Sequence, residues 1–372
     1  MADGTRLENE VRAFRDRMGW SQDELATRAG LSRAGVSAIE TGRLIPSTAA
    51  ALALAGAFGC TVEDLFRLTH AGARATGDRS PWAWEPSRPE CLYWRAEVYG
   101  ATRAYPVEFS TLGLLPHDGT FRCGGFHDHQ GAVPDRTLVI ASCDPAAGLL
   151  AQELAREADL RLIVLPRSSH AALELLARGL VHAAGVHLAR ADESEGNIAA
   201  VRASIPAGPE LRLLRVADWE EGIALAPGLG LRSIEAAIRA RLRWIYREPG
   251  SGAQQCLDEV LSAGPEKRAA RGVRRASDHR AVAGAIRSGW ADAGVCLRLT
   301  SQEAGLDFLD IRREAYDLCY RASLAGDLRG QALIRAVRSS SYRRLLGELP
   351  GCHATRTGTV QKLGSARPES RN

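Results

Sequence analysis

Four stretches of this sequence set short polar side chains directly behind runs of apolar residues. They are Ser142-Cys143-Asp144-Pro145 after Leu138 to Ala141, Ser168-Ser169 after Leu162 to Leu165, Arg247-Glu248-Pro249-Gly250-Ser251-Gly252 after Leu242 to Tyr246, and Ser277-Asp278-His279 after Val273. If each run is a strand leading into a helix, the serine hydroxyls and the unpaired N–H groups of the helix starts converge on one place, which suits an oxyanion. Arg247 would strengthen such a site. Serine before a helix is also an ordinary N-cap, so each of Ser142, Ser169 and Ser251 taken alone is equally a structural residue. Cys123, His127, Asp128 and His129 offer thiolate and imidazole donors in C-x3-H-x-H spacing, but a fourth partner at fixed spacing is missing, and no metal site is expected there. The sequence contains no G-x-S-x-G elbow, H-E-x-x-H helix, G-x-x-x-x-G-K loop or G-x-G-x-x-G turn, so catalysis is not expected.

A second chemistry stands near the start, between Gly19 and Arg43. Ser21 followed by Glu24 is a capping box, Gly30 supplies a turn, and Ser32 caps the next helix. Leu25, Leu31, Val36 and Ile39 fall where two helices would share a core. The second helix, Ser32 to Thr41, is then free to enter a DNA major groove.

These sites need elements to hold them. A chain of 372 residues is long enough for two or three domains, and 45% hydrophobic with 25% charged residues is the composition of an ordinary globular protein. Net charge is only +4, and residues 1 to 70 hold eight arginines against nine acids, so charge alone makes no case for nucleic acid. Eight cysteines without a C-x-x-C pair fit reduced thiols, and no secretory or membrane-spanning stretch is legible, which together predict a cytoplasmic protein. The pattern predicts an all-α domain of five helices over 1–70, a linker with a small β segment over 71–135, a two-lobed α/β domain over 136–351, and a flexible tail over 352–372. Leu211 to Ala226, with Trp219, and Arg313 to Tyr320, with Tyr316, fall where the chain would cross between lobes. The segments Ala177 to Leu188 and Arg287 to Leu297 echo one another, as two similar lobes require.

From Leu7 to Phe66 the sequence resembles the Cro and phage-repressor (XRE) type of helix-turn-helix regulator. Ser-Gln-x-Glu-Leu-Ala at Ser21 to Ala26, the Ser32 to Ser47 pattern, a Leu/Ala-rich fourth helix and Val-Glu-Asp-Leu-Phe at Val62 to Phe66 carry the likeness. The resemblance implies that Gln22, Arg43 and Arg15 meet phosphates. Arg33, Ala34 and Ser37 would face base edges, with Ser32 heading their helix. From Arg136 to Gly351 the chain resembles the type II periplasmic-binding-protein fold, in particular PBP-like domains fused to a helix-turn-helix and related to molybdate-binding proteins. Ser-Cys-Asp-Pro-Ala, Gly-Val-His-Leu, Arg-Glu-Pro-Gly-Ser-Gly-Ala, Ser-Asp-His-Arg-Ala-Val-Ala and Glu-Ala-Tyr-Asp-Leu carry that likeness. It implies an oxyanion effector such as molybdate or tungstate, held by Ser142, Ser169, Ser251 and Tyr316.

The binding set read from the loops and the resemblance together is Ser142, Cys143, Asp144, Ser168, Ser169, His187, Arg247, Ser251, Gly252 and Tyr316. Arg247 and His187 suit a small carboxylate or a pterin-like metabolite equally well, and His187 is also a plausible core histidine. The expected protein is a ligand-responsive regulator that binds duplex DNA as a homodimer, with no cofactor beyond its effector. Its rivals are a regulator whose second domain is a ligand-free dimerisation scaffold, and a metabolite-processing enzyme with a docking module.

Overall fold

Ser21, Ser32 and Ser47 each accept the N–H of the residue three positions on, Glu24 at 3.1 Å, Gly35 at 3.0 Å and Ala50 at 3.2 Å, and so start three helices. In the computed structural model, which describes residues 5–70, 81–108, 112–113, 115–122, 124–129, 131–193, 196–206, 208–262 and 274–363, these helices belong to the first of two units, Met1–Arg79 and Ser80–Asn372. The first unit holds the five expected helices, α1 (Val11–Arg17), α2 (Gln22–Ala29), α3 (Arg33–Glu40), α4 (Thr48–Phe58) and α5 (Val62–Leu65). Gly30 ends α2 at φ 63°, a conformation that glycine adopts without steric cost. Val11, Leu25, Val36, Ile39, Leu54 and Leu65 form the core. Two strands outside the helical expectation, β1 (Thr5–Asn9) and β2 (Phe66–His70), pair antiparallel and join the ends of the helical unit.

The second unit is built on two long strands, β10 (Leu211–Leu225) and β14 (Asp307–Arg321), which pair antiparallel along almost their whole length. Their register shifts between Arg215 and Ala217 and between Glu221 and Gly222, and such bulges bend a strand pair. On one side, β14 carries β9 (Ala183–Val186), then parallel β7 (Thr137–Ala141) and β8 (Arg161–Leu165). Helices α6 (Ala147–Ala158), α7 (Ser169–Ala177), α8 (Asn197–Ser204), α13 (Leu328–Arg338) and α14 (Ser340–Gly347) pack on this first lobe. On the other side, β10 carries β13 (Ala293–Leu297), then parallel β11 (Trp244–Arg247) and β12 (Arg275–Ala276). Helices α9 (Ile234–Arg239), α10 (Gly252–Ser262), α11 (His279–Arg287) and α12 (Arg298–Glu303) complete this second lobe, which has its own apolar clusters. The two crossing segments read from the sequence are therefore β10 and β14.

Two boundaries differ from expectation. The small β segment is a four-stranded antiparallel sheet in the order β4 (Ala101–Pro106), β3 (Cys91–Val98), β5 (Gly119–Arg122), β6 (Gly125–Asp128), and it belongs to the second unit rather than to a linker. Trp94, Ala96, Val98 and Tyr105 join the same core as Val139 and Ile163, and Arg161 grips Asp118 through two bonds of 2.7 Å. Trp82, expected in the linker, packs against Tyr93, Phe121 and Phe126. The tail begins later than expected, because β15 (Cys352–His353) and β16 (Val360–Leu363) pair with the outer edge of β10 and bury Cys352 and Leu363. Residues 71–80 and 364–372, Cys123 of the Cys/His cluster, and Val273 lie outside the described residues.

His182 joins the four-stranded sheet to the first lobe. Its Nδ1 accepts the Val139 N–H at 3.0 Å and its Nε2 lies 3.0 Å from the Glu97 carbonyl, so the ring is held as the neutral Nε2–H form. Burial, reinforced by Arg329, lowers its pKa from 6.5 to about 4. Above pH 6.5 the ring is neutral in folded and unfolded chains alike. Between 6.5 and 4 only the unfolded chain takes up the proton, so stability falls as pH falls, by about 3 kcal/mol in all. Denaturant titrations of the second unit's unfolding across that window check this: His182→Gln is expected to remove that part of the slope, and an unchanged slope would contradict it.

Candidate functional site

The capping serines and Gly30 place α3 so that Val36 and Ile39 face the core while Arg33 and Ala34 are exposed and Ser37 half-buried on the opposite side. Among the described residues, Arg33 has only a loose ion pair with Asp23 at 3.5 Å, between two exposed side chains. Arg43 is exposed and its Nε donates to Thr41 Oγ1 at 3.0 Å. Ser32 spends its lone pair on Gly35 N–H, as a cap.

Arg15 differs from expectation. Its Nε and Nη2 donate to Glu40 at 2.6 and 3.3 Å and its Nη1 to the Trp20 carbonyl at 2.9 Å, and Gln22 Nε2 reaches the same Glu40 at 2.9 Å. The Glu40 side chain is 2% exposed. Arg15 therefore fastens α1 to the end of α3 instead of standing free for a phosphate, and Gln22 is drawn into the same bond set. Two substitutions separate the roles. Arg15→Ala is expected to lower the stability of the first unit by about 1–2 kcal/mol in thermal unfolding. Arg33→Ala should leave stability unchanged and weaken sequence-specific duplex binding by about 1–3 kcal/mol in a direct titration. Equal effects of the two on stability would contradict the assignment.

In the second unit the strand-end loops of both lobes meet. Gly252, the first residue of α10, lies so close to His187 that a Cβ there would sit 2.2 Å from its carbonyl oxygen. Cys143 Sγ lies 3.0 Å from His187 Nε2 and 3.9 Å from His279 Nε2. Arg280 Nη1 donates to the Pro145 carbonyl at 2.8 Å, and His170 Nδ1 lies 2.5 Å from the Gly250 carbonyl. A groove of about 920 Å³ runs beside this centre, lined by Pro145, Gly148, Ser277, Asp278 and Arg280 among others. The convergent polar groups, however, are buried.

The serines turn out to do different work. Ser142 Oγ lies 2.7 Å from Tyr316 Oη and accepts the Asp144 N–H at 3.0 Å. Ser169 Oγ accepts the His187 N–H at 3.1 Å and so fixes the end of β9. Ser251 Oγ donates to the Glu248 carbonyl and accepts the Gln254 N–H, the pattern of a cap. Ser168 stands at the N-cap of α7 without a side-chain capping bond. Asp144 Oδ1 accepts the Ala146 N–H at 2.7 Å, and burial pushes its pKa up to about 6. Tyr316 is buried and stacks on Trp219 at 4.3 Å.

Beneath these loops runs a charged network from β10 and β14. Glu314 Oε1 accepts from Arg312 Nε and Nη2 at 3.0 and 2.7 Å, and its Oε2 lies 2.9 Å from His187 Nδ1. Burial opposes ionisation of Glu314, but the bond from His187 and the charge of Arg312 hold its pKa below the usual value. Burial and the adjacent Glu314 push the Glu221 pKa well above its usual value. Burial also opposes protonation of His187, yet Cys143 and Glu314 together raise its pKa.

The binding set read from the sequence missed His279, Glu314, Glu221 and Arg312. His279 had a signal: Asp278 Oδ1 accepts the Ala281 N–H and starts α11, so the next side chain turns into the cleft like those of the other three loops. Glu314 stands opposite Trp219, and Glu221 opposite Arg312, only through the pairing of β10 with β14. No local spacing announces that.

The fold of both units agrees with what the chain is similar to. The PBP superfamily domain matches residues 151–338, half of the chain, and a helix-turn-helix matches residues 11–65. The chain is 26% identical over 242 residues to the uncharacterized protein YvgK of Bacillus subtilis, covering 62% of this chain and 76% of that one. It is 40% identical over 62 residues to YgzD of Bacillus subtilis, an uncharacterized HTH-type transcriptional regulator, covering 17% of this chain and 94% of that one. Among solved structures it is similar to a tungstate ABC transporter from Geobacter sulfurreducens, with 12% identity, a TM-score of 0.43, and 57% of this chain and 99% of that one covered. At that level nothing about ligands is transferred. With a helix-turn-helix in the first unit and a PBP superfamily domain over half of its length, the chain belongs to the PBP superfamily-domain family as a DNA-binding helix-turn-helix regulator.

Proposed function

We propose that this regulator is a one-component sensor whose second unit takes a small oxyanion between its lobes and whose first unit binds an operator as part of a homodimer. One observation carries the anion. Arg247 ends β11 and is 2% exposed. Its Nη2 donates to the Ser277 carbonyl at 3.1 Å, while Nε and Nη1 have no hydrogen-bond partner among the described residues. The nearest carboxylate, the half-exposed Glu248, is 3.7 Å away.

A guanidinium taken out of water costs several kcal/mol unless it is paired. The free Nε and Nη1 are unpaired N–H donors, and each can donate a charge-assisted hydrogen bond to an anion oxygen. Trp219 Nε1, buried and equally without a partner, supports the same reading. Tetrahedral oxyanions such as molybdate and tungstate are the first candidates and small carboxylates the second. Closure would act on DNA because an anion that contacts both lobes binds the closed form better than the open one, and only that difference shifts the population. Two recognition helices, one from each protomer of a dimer, are the readout, since one helix makes few base contacts.

A thermal-shift screen of the full chain against molybdate, tungstate, sulfate, phosphate and small carboxylates tests the anion directly. An anion at 100 times its Kd is expected to stabilise the second unit by about 2.7 kcal/mol. Arg247→Gln should weaken binding by at least about 30-fold and Ser142→Ala by less. No shift with any anion, in protein that still binds DNA, would overturn this reading in favour of a ligand-free scaffold.

A further inference from the structure

The described residues gather two sets of metal-ligand atoms at the centre of the second unit: Cys143, His187 and His279, and His187, Glu221 and Glu314. The second set is charge-compensated without an ion, because Arg312 and His187 satisfy the Glu314 carboxylate and Arg312 Nη2 lies 3.8 Å from Glu221, whose own two buried oxygens have no hydrogen-bond partner among the described residues. In the first set, His279 is fully buried, its Nδ1 has no hydrogen-bond partner among the described residues, and its Nε2 meets only the Cys143 sulfur at 3.9 Å. An imidazole without a nitrogen or oxygen partner on either ring nitrogen carries a desolvation cost that nothing in its surroundings offsets.

We propose that Cys143 Sγ, His187 Nε2 and His279 Nε2 bind a thiolate-accepting transition-metal ion, Zn(II) in the first instance, that fastens one lobe of the second unit to the other. Distances support it. A tetrahedral ion about 2.3 Å from sulfur and about 2.0 Å from nitrogen sets the S···N edge near 3.5 Å. The observed separations of 3.0 and 3.9 Å straddle that value, and all three ligand atoms lie within 4.8 Å of one another. Glu314 Oε2, 2.9 Å from His187 Nδ1, holds a proton on that nitrogen and leaves Nε2, 3.0 Å from Cys143 Sγ, as the ring atom that would take the metal. A carboxylate behind a ligating imidazole is the support that metal sites commonly use to orient and strengthen the ligand.

The donors also span the fold. Cys143 follows β7 and His187 follows β9 in the first lobe, while His279 opens α11 in the second. One ion therefore crosses the cleft. One sulfur and two imidazole nitrogens favour zinc or monovalent copper over magnesium or calcium, which take oxygen donors. The Trp219 ring, 5.2 Å from His187 and 6.2 Å from His279, walls the site with apolar surface. On binding, the Cys143 thiol gives up its proton to solvent and its sulfur becomes a metal ligand. Three protein ligands leave a fourth position for an exogenous group.

This inference does not rest on the anion reading, since Arg247 is not a donor. The test uses the full chain freed of metal with a chelator and titrated with Zn(II), and with Co(II) as a coloured substitute. One ion per chain is expected, with a thiolate-to-cobalt charge-transfer band and quenching of Trp219 fluorescence. Cys143→Ser should abolish the band, and His279→Gln should weaken Zn(II) binding by about 100-fold. Arg247→Gln should leave metal binding intact. Folded wild-type protein that gives no thiolate band with Co(II) would overturn the proposal, whatever the variants do. So would binding that survives both Cys143→Ser and His279→Gln. Anion binding without metal binding would sink this proposal alone, and metal binding without anion binding would sink only the anion reading.

Discussion

The second unit depends on where His187 is held. Ser169 fixes its backbone N–H, Glu314 meets its Nδ1, Cys143 meets its Nε2, and Gly252 of the opposite lobe packs against its carbonyl where no larger residue fits. Four segments are thereby gathered on one residue with no solvent access, two on its ring and two on its backbone. A buried imidazole in such a position orders everything it touches, because moving it would strand several polar groups at once. The lobes therefore meet on a polar node rather than on an apolar face, and a polar node is what small charged ligands can compete for or complete.

The node sits between strands built to bend. β10 and β14 pass from one lobe to the other, and their bulges near Arg215 and Glu221 lie on either side of Trp219. Each lobe has its own apolar clusters, so relative movement of the lobes need not open either core. A ligand that bridges the lobes would then act across the two strands that join them. Among the described residues, Arg247 is buried with two unpartnered donors and His279 is buried with neither ring nitrogen bonded to nitrogen or oxygen, and the two proposals rest on these atoms.

What the sequence disclosed followed the range of each interaction. The helical unit was legible almost residue by residue, because Ser21, Ser32 and Gly30 act on neighbours three or four positions away. The strand-end loops were legible as well, since a polar turn after an apolar run is a local pattern, and Cys143, His187 and Gly252 do meet. Their individual tasks were not: Ser251 caps, Ser169 braces His187, and Arg15 holds Glu40. Strand pairing hid the remainder. Cys352 to Leu363 reads as a polar tail until its partner on β10, more than a hundred residues earlier, is known. Nothing local in the sequence marks Glu221 and Glu314 as partners; the register of β10 against β14 brings both to Arg312.

In the proposed function, occupancy of the cleft in the second unit changes how the first unit holds DNA. The most direct measurement is the affinity of the full chain for a duplex selected by the protein itself from a random pool, read by fluorescence anisotropy with and without an anion shown to bind. A change of about 5-fold or more in the wild type, absent in Arg247→Gln, is the predicted result. Superimposable binding curves with and without a bound anion would contradict it, leaving a DNA-binding protein whose cleft carries no signal.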